Sequence, residues 1–286
     1  MVLHGHITLL IDADIIAISA ACMAEKRMYR VDDDSVIADF SSKEDAINFC
    51  KKFHIPPEQC MSQVVQKLQL SVAKRSVDSL IDKVKAAAIK NGADSVSLEH
   101  YLTGEGNFRV GVAKTTPYKG SRRNSQRPLW ERETKQYIVD KYNAVYTQGI
   151  EADDALAMRL TELGTQGVVC SIDKDLLQVP GWHYNWRKDT LCHIDEATGM
   201  YNFYCQMLTG DTIDDIKGIY GIGPVKAGKI LENKSEEDMR KAVIDEYITA
   251  MPDTWTERYE ENYRLLWLLR SKEELAALKN RVLLGR

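Results

Sequence analysis

Gly167-Val168-Val169-Cys170-Ser171-Ile172, followed at once by Asp173-Lys174-Asp175, is an apolar run of one buried strand's length that ends in two carboxylates. The chain opens on the same device, with Ile7-Thr8-Leu9-Leu10-Ile11 running into Asp12. Between the two lies Gly149-Ile150-Glu151-Ala152-Asp153-Asp154, and after them Asp211 and Asp214 stand just before a Gly-rich stretch. Carboxylates are hard oxygen ligands suited to Mg²⁺ or Mn²⁺. Crowding them is electrostatically unfavourable unless cations neutralise them. Open α/β sheets gather functional side chains outside the carboxyl ends of their strands. One Asp after a strand is ordinarily a turn residue, and Asp-Asp at a helix start is ordinarily a cap. Four such placements in one chain point to a metal site.

Working outward, Ile15–Ala24 reads as a helix, and Tyr29–Val31 with Val36–Phe40 as a hairpin across Asp32-Asp33-Asp34. Ser41-Ser42-Lys43-Glu44 offers a helix start, with the helix running through Phe53. Val77–Asn91 is an amphipathic helix stopped by Asn91-Gly92. Val96–Leu102 and Val145–Thr147 read as strands, Trp130–Lys141 and Ala152–Leu163 as helices. His183–Trp186 and Leu191–Ile194 read as two more strands, and the pattern from about residue 197 is mostly helical. Such alternation predicts an α/β fold, a mostly parallel central sheet with helices on both faces.

A chain of 286 residues can bury a large core, and 44% hydrophobic with 28% charged residues is a soluble globular composition. The apolar stretch from Ile7 to Met23 is broken by Asp12 and Asp14 and lacks a basic leader, so neither signal peptide nor membrane anchor is expected. The six cysteines form no C-x-x-C and no zinc spacing with histidine, which predicts reduced thiols in a cytoplasmic compartment. The formal net charge of −4 argues against a general nucleic-acid coat protein. Yet eight Lys or Arg face three acids between Lys114 and Lys141, a local polyanion site.

Two further stretches bear on that polyanion. Gly218-Ile219-Tyr220-Gly221-Ile222-Gly223-Pro224 precedes Val225-Lys226-Ala227-Gly228-Lys229. Glycines let backbone N–H groups approach a phosphate, the helix start favours an anion, and Lys226 and Lys229 add charge. Such a contact reads backbone and not bases. In Tyr118-Lys119-Gly120-Ser121-Arg122-Arg123, the cations can grip a phosphate and Tyr118 can stack on an unpaired base.

Taken in order, Leu-Ile-Asp-Ala-Asp, Pro-Tyr-Lys-Gly-Ser-Arg, Gly-Ile-Glu-Ala-Asp-Asp, Ser-Ile-Asp-Lys-Asp, Gly-Asp-Thr-Ile-Asp-Asp and Gly-Ile-Tyr-Gly-Ile-Gly-Pro resemble the flap-endonuclease-like 5′-nuclease superfamily. That superfamily includes bacteriophage 5′-3′ exonucleases, to which the chain is most similar, and the 5′-nuclease domain of bacterial DNA polymerase I. The resemblance covers residues 7–24 and 96–231. It implies a catalytic domain over 1–195 with a helical arch near 114–141, and a helical DNA-binding region over 196–286 with a helix-three-turn-helix at 197–231. Metal ligands implied by it are Asp12, Glu151, Asp153, Asp154, Asp173, Asp175, Asp211 and Asp214, holding two Mg²⁺ or Mn²⁺. Lys119 and Arg122 correspond to the cations that contact the reacting phosphate. Tyr118, Arg123, Gly221, Gly223, Lys226 and Lys229 fall at DNA-binding positions, and K⁺ would sit on the backbone carbonyls of Ile219 and Ile222.

The chain departs from the pattern in places. The Asp that usually follows the strand before Tyr-Lys-Gly is missing from Leu102-Thr103-Gly104-Glu105, and Glu105 is the expected replacement. Gln206 stands where many members have a lysine, and Pro128 interrupts a short arch. Residues 25–75 read as an elaboration of this lineage. The resemblance implies a monomeric, cytoplasmic enzyme (in the host cell if phage-encoded) of replication, repair or recombination, acting on DNA with 5′ ends, flaps or nicks, or on RNA–DNA hybrid. A PIN-type ribonuclease shares the acidic-sheet logic, but the hairpin and the basic segment speak against it. A non-catalytic DNA-structure binder would have shed its acids.

Overall fold

The computed structural model describes the backbone of residues 2–33 and 36–283, and the side chains of these except 123, 124 and 278–283. In chain order the elements are β1 (His6–Asp12), α1 (Ala13–Met23), β2 (Glu25–Asp33), β3 (Val36–Phe40), α2 (Lys43–Phe53), α3 (Pro57–Cys60), β4 (Met61–Lys67) and α4 (Leu70–Lys90). Then come β5 (Ser95–Leu102), α5 (Arg109–Val112), α6 (Glu131–Tyr142), β6 (Val145–Tyr146), α7 (Ala152–Leu163), β7 (Gly167–Cys170), β8 (Gly181–Asn185) and β9 (Thr190–Ile194). The chain finishes with α8 (Glu196–Thr209), β10 (Gly210–Asp211), β11 (Ile216–Lys217), α9 (Pro224–Leu231), α10 (Glu236–Ala250), α11 (Trp255–Leu266) and α12 (Lys272–Leu283). The fold divides into two compact units, one of residues 1–15, 80–126 and 139–286, the other of 16–79 and 127–138.

In the first unit the strands are ordered β6-β5-β1-β7-β8-β9. Central β1 pairs in parallel with β5, Asp12 opposite Tyr101, and with β7, Ile11 opposite Cys170. Ile7, Leu9, Leu10 and Ile11 are at most 1% exposed. A strand covered on both faces shows an unbroken apolar run and no alternation. Each such side chain contributes about 1.5–3 kcal/mol by leaving water. On one face, Leu156, Ala157 and Leu160 of α7 pack on Leu10 and Val169. Glu99 of β5 points the same way, where Arg159 of α7 donates to it at 3.0 Å. The next residue, His100, points to the opposite face and rests against the ring of Tyr142 at the end of α6, 5.4 Å away. The expected mostly parallel sheet with helices on both faces is the fold observed, and β9 alone of its pairings runs antiparallel.

Beyond β9 the same unit continues as helices α8 to α11 around their own core of Phe203, Met207, Leu208, Leu231, Val243 and Tyr247. Between α8 and α9 the expected glycine turn is preceded by a short ribbon, Asp211 of β10 opposite Ile216 of β11. That ribbon carries the last acids of the series.

The second unit holds a sheet ordered β3-β2-β4. The hairpin is as read, Tyr29 opposite Phe40. Its acidic tip at Asp34 lies outside the described residues. Ser42 caps α2 by accepting from Asp45 N, and Ala46 and Cys50 of that helix pack under Val31. Strand β4 was not legible: Met61-Ser62-Gln63-Val64-Val65-Gln66-Lys67 has no alternation to show. Helix α4 also begins seven residues before the expected Val77. No helix of the described residues is long and apolar enough to cross a membrane.

Candidate active site

The parallel strand ends bring the first acids together. Asp12 closes β1 and is 1% exposed. Its Oδ1 accepts from Ile15 N at 3.1 Å and its Oδ2 from the Ser171 hydroxyl at 2.6 Å. Burial, reinforced by the charges of Asp14 and Asp173, lifts its carboxyl to about 7 against those two hydrogen bonds. Asp153, in the first turn of α7, is held well above the usual range by burial and then by Asp12, Asp173 and Glu151, with Lys119 opposing. Ser171 orients the next acid as well, since its hydroxyl accepts from Asp173 N at 3.0 Å.

A second group forms where the 3-10 turn after β7 meets the β10–β11 ribbon. Asp173 Oδ1 accepts from Asp175 N at 2.9 Å, and Gln206 of α8 donates to Asp175 Oδ1. Burial and the charges of Asp173 and Asp211 raise Asp175 to about 8. Lys174 stands 3.9 Å from Asp175 and 3.8 Å from Asp211. Asp211 is 4% exposed and accepts from Ile213 N at 2.7 Å. Asp214 is raised by burial, while Lys119 and Arg122 pull it down.

Those two cations come from the basic turn. Lys119 Nζ donates to Glu151 Oε1 and lies 3.5 Å from Asp214 Oδ2, and Arg122 donates to Asp214 Oδ1. Burial works against the charged ammonium of Lys119, but Glu151 and Asp214 outweigh it and hold its pKa above the ordinary value. Lys119 and Arg122 therefore sit at the acids.

Three expected residues are placed differently, and a fourth is not described. Asp154 is fully buried, and its carboxylate accepts from Arg109 Nη1 (2.6 Å), Arg109 Nη2 (2.8 Å), Glu151 N (3.1 Å) and Leu269 N (3.1 Å). With all four lone-pair directions taken, it is a structural ion pair and capping-box residue and not a metal ligand. Tyr118 is 8% exposed, so its ring cannot stack on a base. Its hydroxyl instead donates to Glu151 Oε2 at 2.7 Å and lies 3.2 Å from Asp214 Oδ2. Glu105 is exposed in the loop after β5, and among the described residues no hydrogen bond or ion pair ties its carboxylate to the other acids. The side chain of Arg123 lies outside the described residues.

Three residues were missed. Asp14 reaches the loop assigned to Glu105, its Oδ2 accepting from Thr103 N at 2.7 Å. The signal was present in the Asp-x-Asp spacing after β1. Arg109 gives none, being a lone cation in an apolar context. Its Nε and Nη2 also donate to the carbonyls of Leu265 (2.9 Å) and Trp267 (2.7 Å). Gln206 stood out only as a departure from the family pattern.

The glycine turn is anchored and bare. Ile219 and Ile222 are each 5% exposed in the C-terminal core, and Ile219 N donates to Leu208 O at 2.8 Å. Gly221 has φ 77, a region that favours glycine, but Gly223 has an ordinary backbone. A Cβ on either would meet nothing within 4 Å. Nothing among the described residues therefore demands that Gly223 be bare. Lys226 and Lys229 are exposed on the helix that follows.

The donors fit a hard divalent ion: they are all carboxylate, and burial and mutual repulsion hold Asp12, Asp153 and Asp175 well above the usual carboxylate range. Among the described residues no three of them converge tightly enough to hold an ion as they stand. Lys119 instead bridges Glu151 and Asp214.

No protein-family model matches the chain. A curated DNA polymerase I of Rhizobium leguminosarum is 33% identical over 106 residues, 33% of this chain. The chain spans about a tenth of that relative's length, 10%. Among solved structures, T5 5′-exonuclease with bound zinc gives a TM-score of 0.46 at 13% identity, covering 92% of this chain and 100% of that one. A bacteriophage T5 flap endonuclease with DNA and metal ions gives 0.42 at 14%, covering 68% and 90%. The catalytic core of Rad2 with DNA substrate gives 0.40 at 12%, covering 92% and 73%. The two T5 structures carry the names 5′-exonuclease and flap endonuclease. At this level of likeness, function is carried by the chain's own side chains.

Proposed function

We propose that the chain is a divalent-metal-dependent, structure-specific 5′-nuclease that hydrolyses DNA phosphodiesters as a 5′-3′ exonuclease and flap endonuclease. The observation that carries this reading is the buried run of acids at the strand ends with Lys119 and Arg122 laid against it. Asp12, Glu151, Asp153 and Asp173 would hold one ion, and Asp175, Asp211 and Asp214 with Asp173 a second. Mg²⁺ or Mn²⁺ bound there supplies an activated water and neutralises the charge developing on the leaving oxygen.

The protein's own residues do the rest. Lys119 and Arg122 exchange their carboxylate partners for the scissile phosphate and stabilise its transition-state charge. Ser171 and Gln206 fix the orientation of Asp12 and Asp175, and the Tyr118 hydroxyl fixes that of Glu151. Gly221 and Gly223 admit a duplex backbone, with Lys226 and Lys229 on its phosphates and K⁺ on the carbonyls of Ile219 and Ile222. The expected substrates are 5′ ends, flaps and nicks in DNA, with RNA–DNA hybrid a further substrate, and the expected unit is a cytoplasmic monomer.

A labelled 5′-flap substrate with Mg²⁺ tests the reading. Asp153→Ala or Asp173→Ala should abolish cleavage and leave DNA binding measurable. Full activity in either variant would overturn it, and equal cleavage of single-stranded RNA with indifference to branching would favour a ribonuclease.

A further inference from the structure

We propose that Asp215 is a positioning residue that holds the basic turn, and with it Lys119 and Arg122, in register with the second group of acids. The inference rests on the nuclease reading above. Asp214 and Asp215 are adjacent, but their carboxylates serve different turns. Asp215 has a left-handed backbone, φ 60, and the chain reverses there. The Asp214 carboxylate faces Lys119 and Arg122, while Asp215 Oδ2 accepts from Ser121 N at 2.8 Å. Two more bonds join the same segments: Lys119 N donates to Asp214 O at 3.0 Å, and the Thr116 hydroxyl donates to Asp215 O at 2.5 Å.

Lys119 itself is left-handed, φ 53, a region that a lysine rarely adopts. Such a conformation persists only where the surroundings over-determine it, and it clusters at functional sites. The three bonds from the 214–215 segment supply that determination here. Two of them use backbone carbonyls and survive any substitution at 215. The Asp215 carboxylate is the third and can be removed. Without it the turn can relax toward an ordinary backbone, which swings the Lys119 ammonium and the Arg122 guanidinium off the phosphate position. Misplacing a catalytic group by 1 Å lowers rate by about 100-fold.

The test compares Asp215→Ala, Asp215→Gly and Asp215→Asn in the full chain. Glycine keeps the left-handed backbone without an acceptor, and asparagine keeps both. Steady-state cleavage of a labelled 5′ flap with Mg²⁺ is read alongside the thermal midpoint and amide hydrogen exchange over residues 116–125. The alanine and glycine variants should lose about 10–100-fold in kcat, with KM and thermal midpoint little changed and faster exchange in the turn. Asparagine should restore kcat and exchange protection together. Wild-type kcat in the glycine variant, an asparagine variant as impaired as alanine, or unchanged exchange would each overturn the proposal. If the wild type cleaves no DNA, the nuclease reading fails separately, and exchange still decides whether Asp215 holds the turn.

Discussion

Replacing Asp154 by alanine separates a structural acid from a metal ligand. The pair it forms with Arg109 is buried on both sides, with side-chain exposures of 1% and 0%. Removing one partner leaves an uncompensated charge in the interior, which costs about 3–5 kcal/mol. Arg109 keeps its bonds to the carbonyls of Leu265 and Trp267, so part of its solvation survives and the lower half of that range applies. At about 2–4 °C per kcal/mol for a domain approaching this size, the thermal midpoint falls by roughly 10 °C. Arg109→Met should cost a similar amount, because Asp154 then retains only its backbone donors, Glu151 N and Leu269 N. The double variant should be little worse than either single one, giving a coupling of about 2–3 kcal/mol. Urea unfolding followed by circular dichroism in metal-free buffer reads all three. Additive losses, or a loss under about 1 kcal/mol for Asp154→Ala, would refute the ion-pair assignment. A variant of normal stability that has lost its response to Mg²⁺ would restore Asp154 to the metal ligands.

Other expectations follow from the same geometry. Lys119→Ala and Arg122→Ala should each lower kcat on a 5′ flap by about 10²–10³-fold while duplex affinity stays within a few-fold, since they act on transition-state charge. Lys226→Ala and Lys229→Ala should do the reverse, weakening binding and reducing the salt slope by about one each in a titration of affinity against salt. His100 and His183 are held neutral by burial, at about 4 in the fold. Their contribution is whole above pH 6.5 and is lost as pH falls toward 4, about 2 kcal/mol each by pH 5. The stability difference between wild type and His100→Phe should therefore shift by that amount between pH 7.5 and pH 5 in urea melts. Asp12 and Asp175 have the opposite sign: their pKa values, raised from 3.8 to about 7 and about 8, make the fold lose stability as pH rises from the ordinary carboxylate range toward those values, with the loss complete above them. Mg²⁺ should then raise the thermal midpoint more at pH 8 than at pH 5.5, and equal shifts at both would count against a metal held by these acids.

The legible part of this protein is the part written locally. An apolar run ending in Asp12 or Asp173 fixes a strand, its burial on both faces and the end at which its acid emerges, because a parallel strand's environment is uniform along its length. The Ala152–Leu163 helix and its acidic first turn were legible to the residue for the same reason. What could not be read is partnership across the chain. Asp153 and Asp154 are the same residue type one position apart, yet helical geometry turns them toward different neighbours. Asp153 faces Asp12 and Asp173, whereas Asp154 meets an arginine 45 residues earlier and a backbone amide 115 residues later. Tyr118 shows the same thing from the other side, since a tyrosine beside cations looks like a stacking platform until two carboxylates take its hydroxyl. In both cases the sequence supplies a side chain able to do either job, and burial selects between them. A buried acid persists beside a cation or a metal, and the location of Arg109 is what leaves Asp154 with the cation.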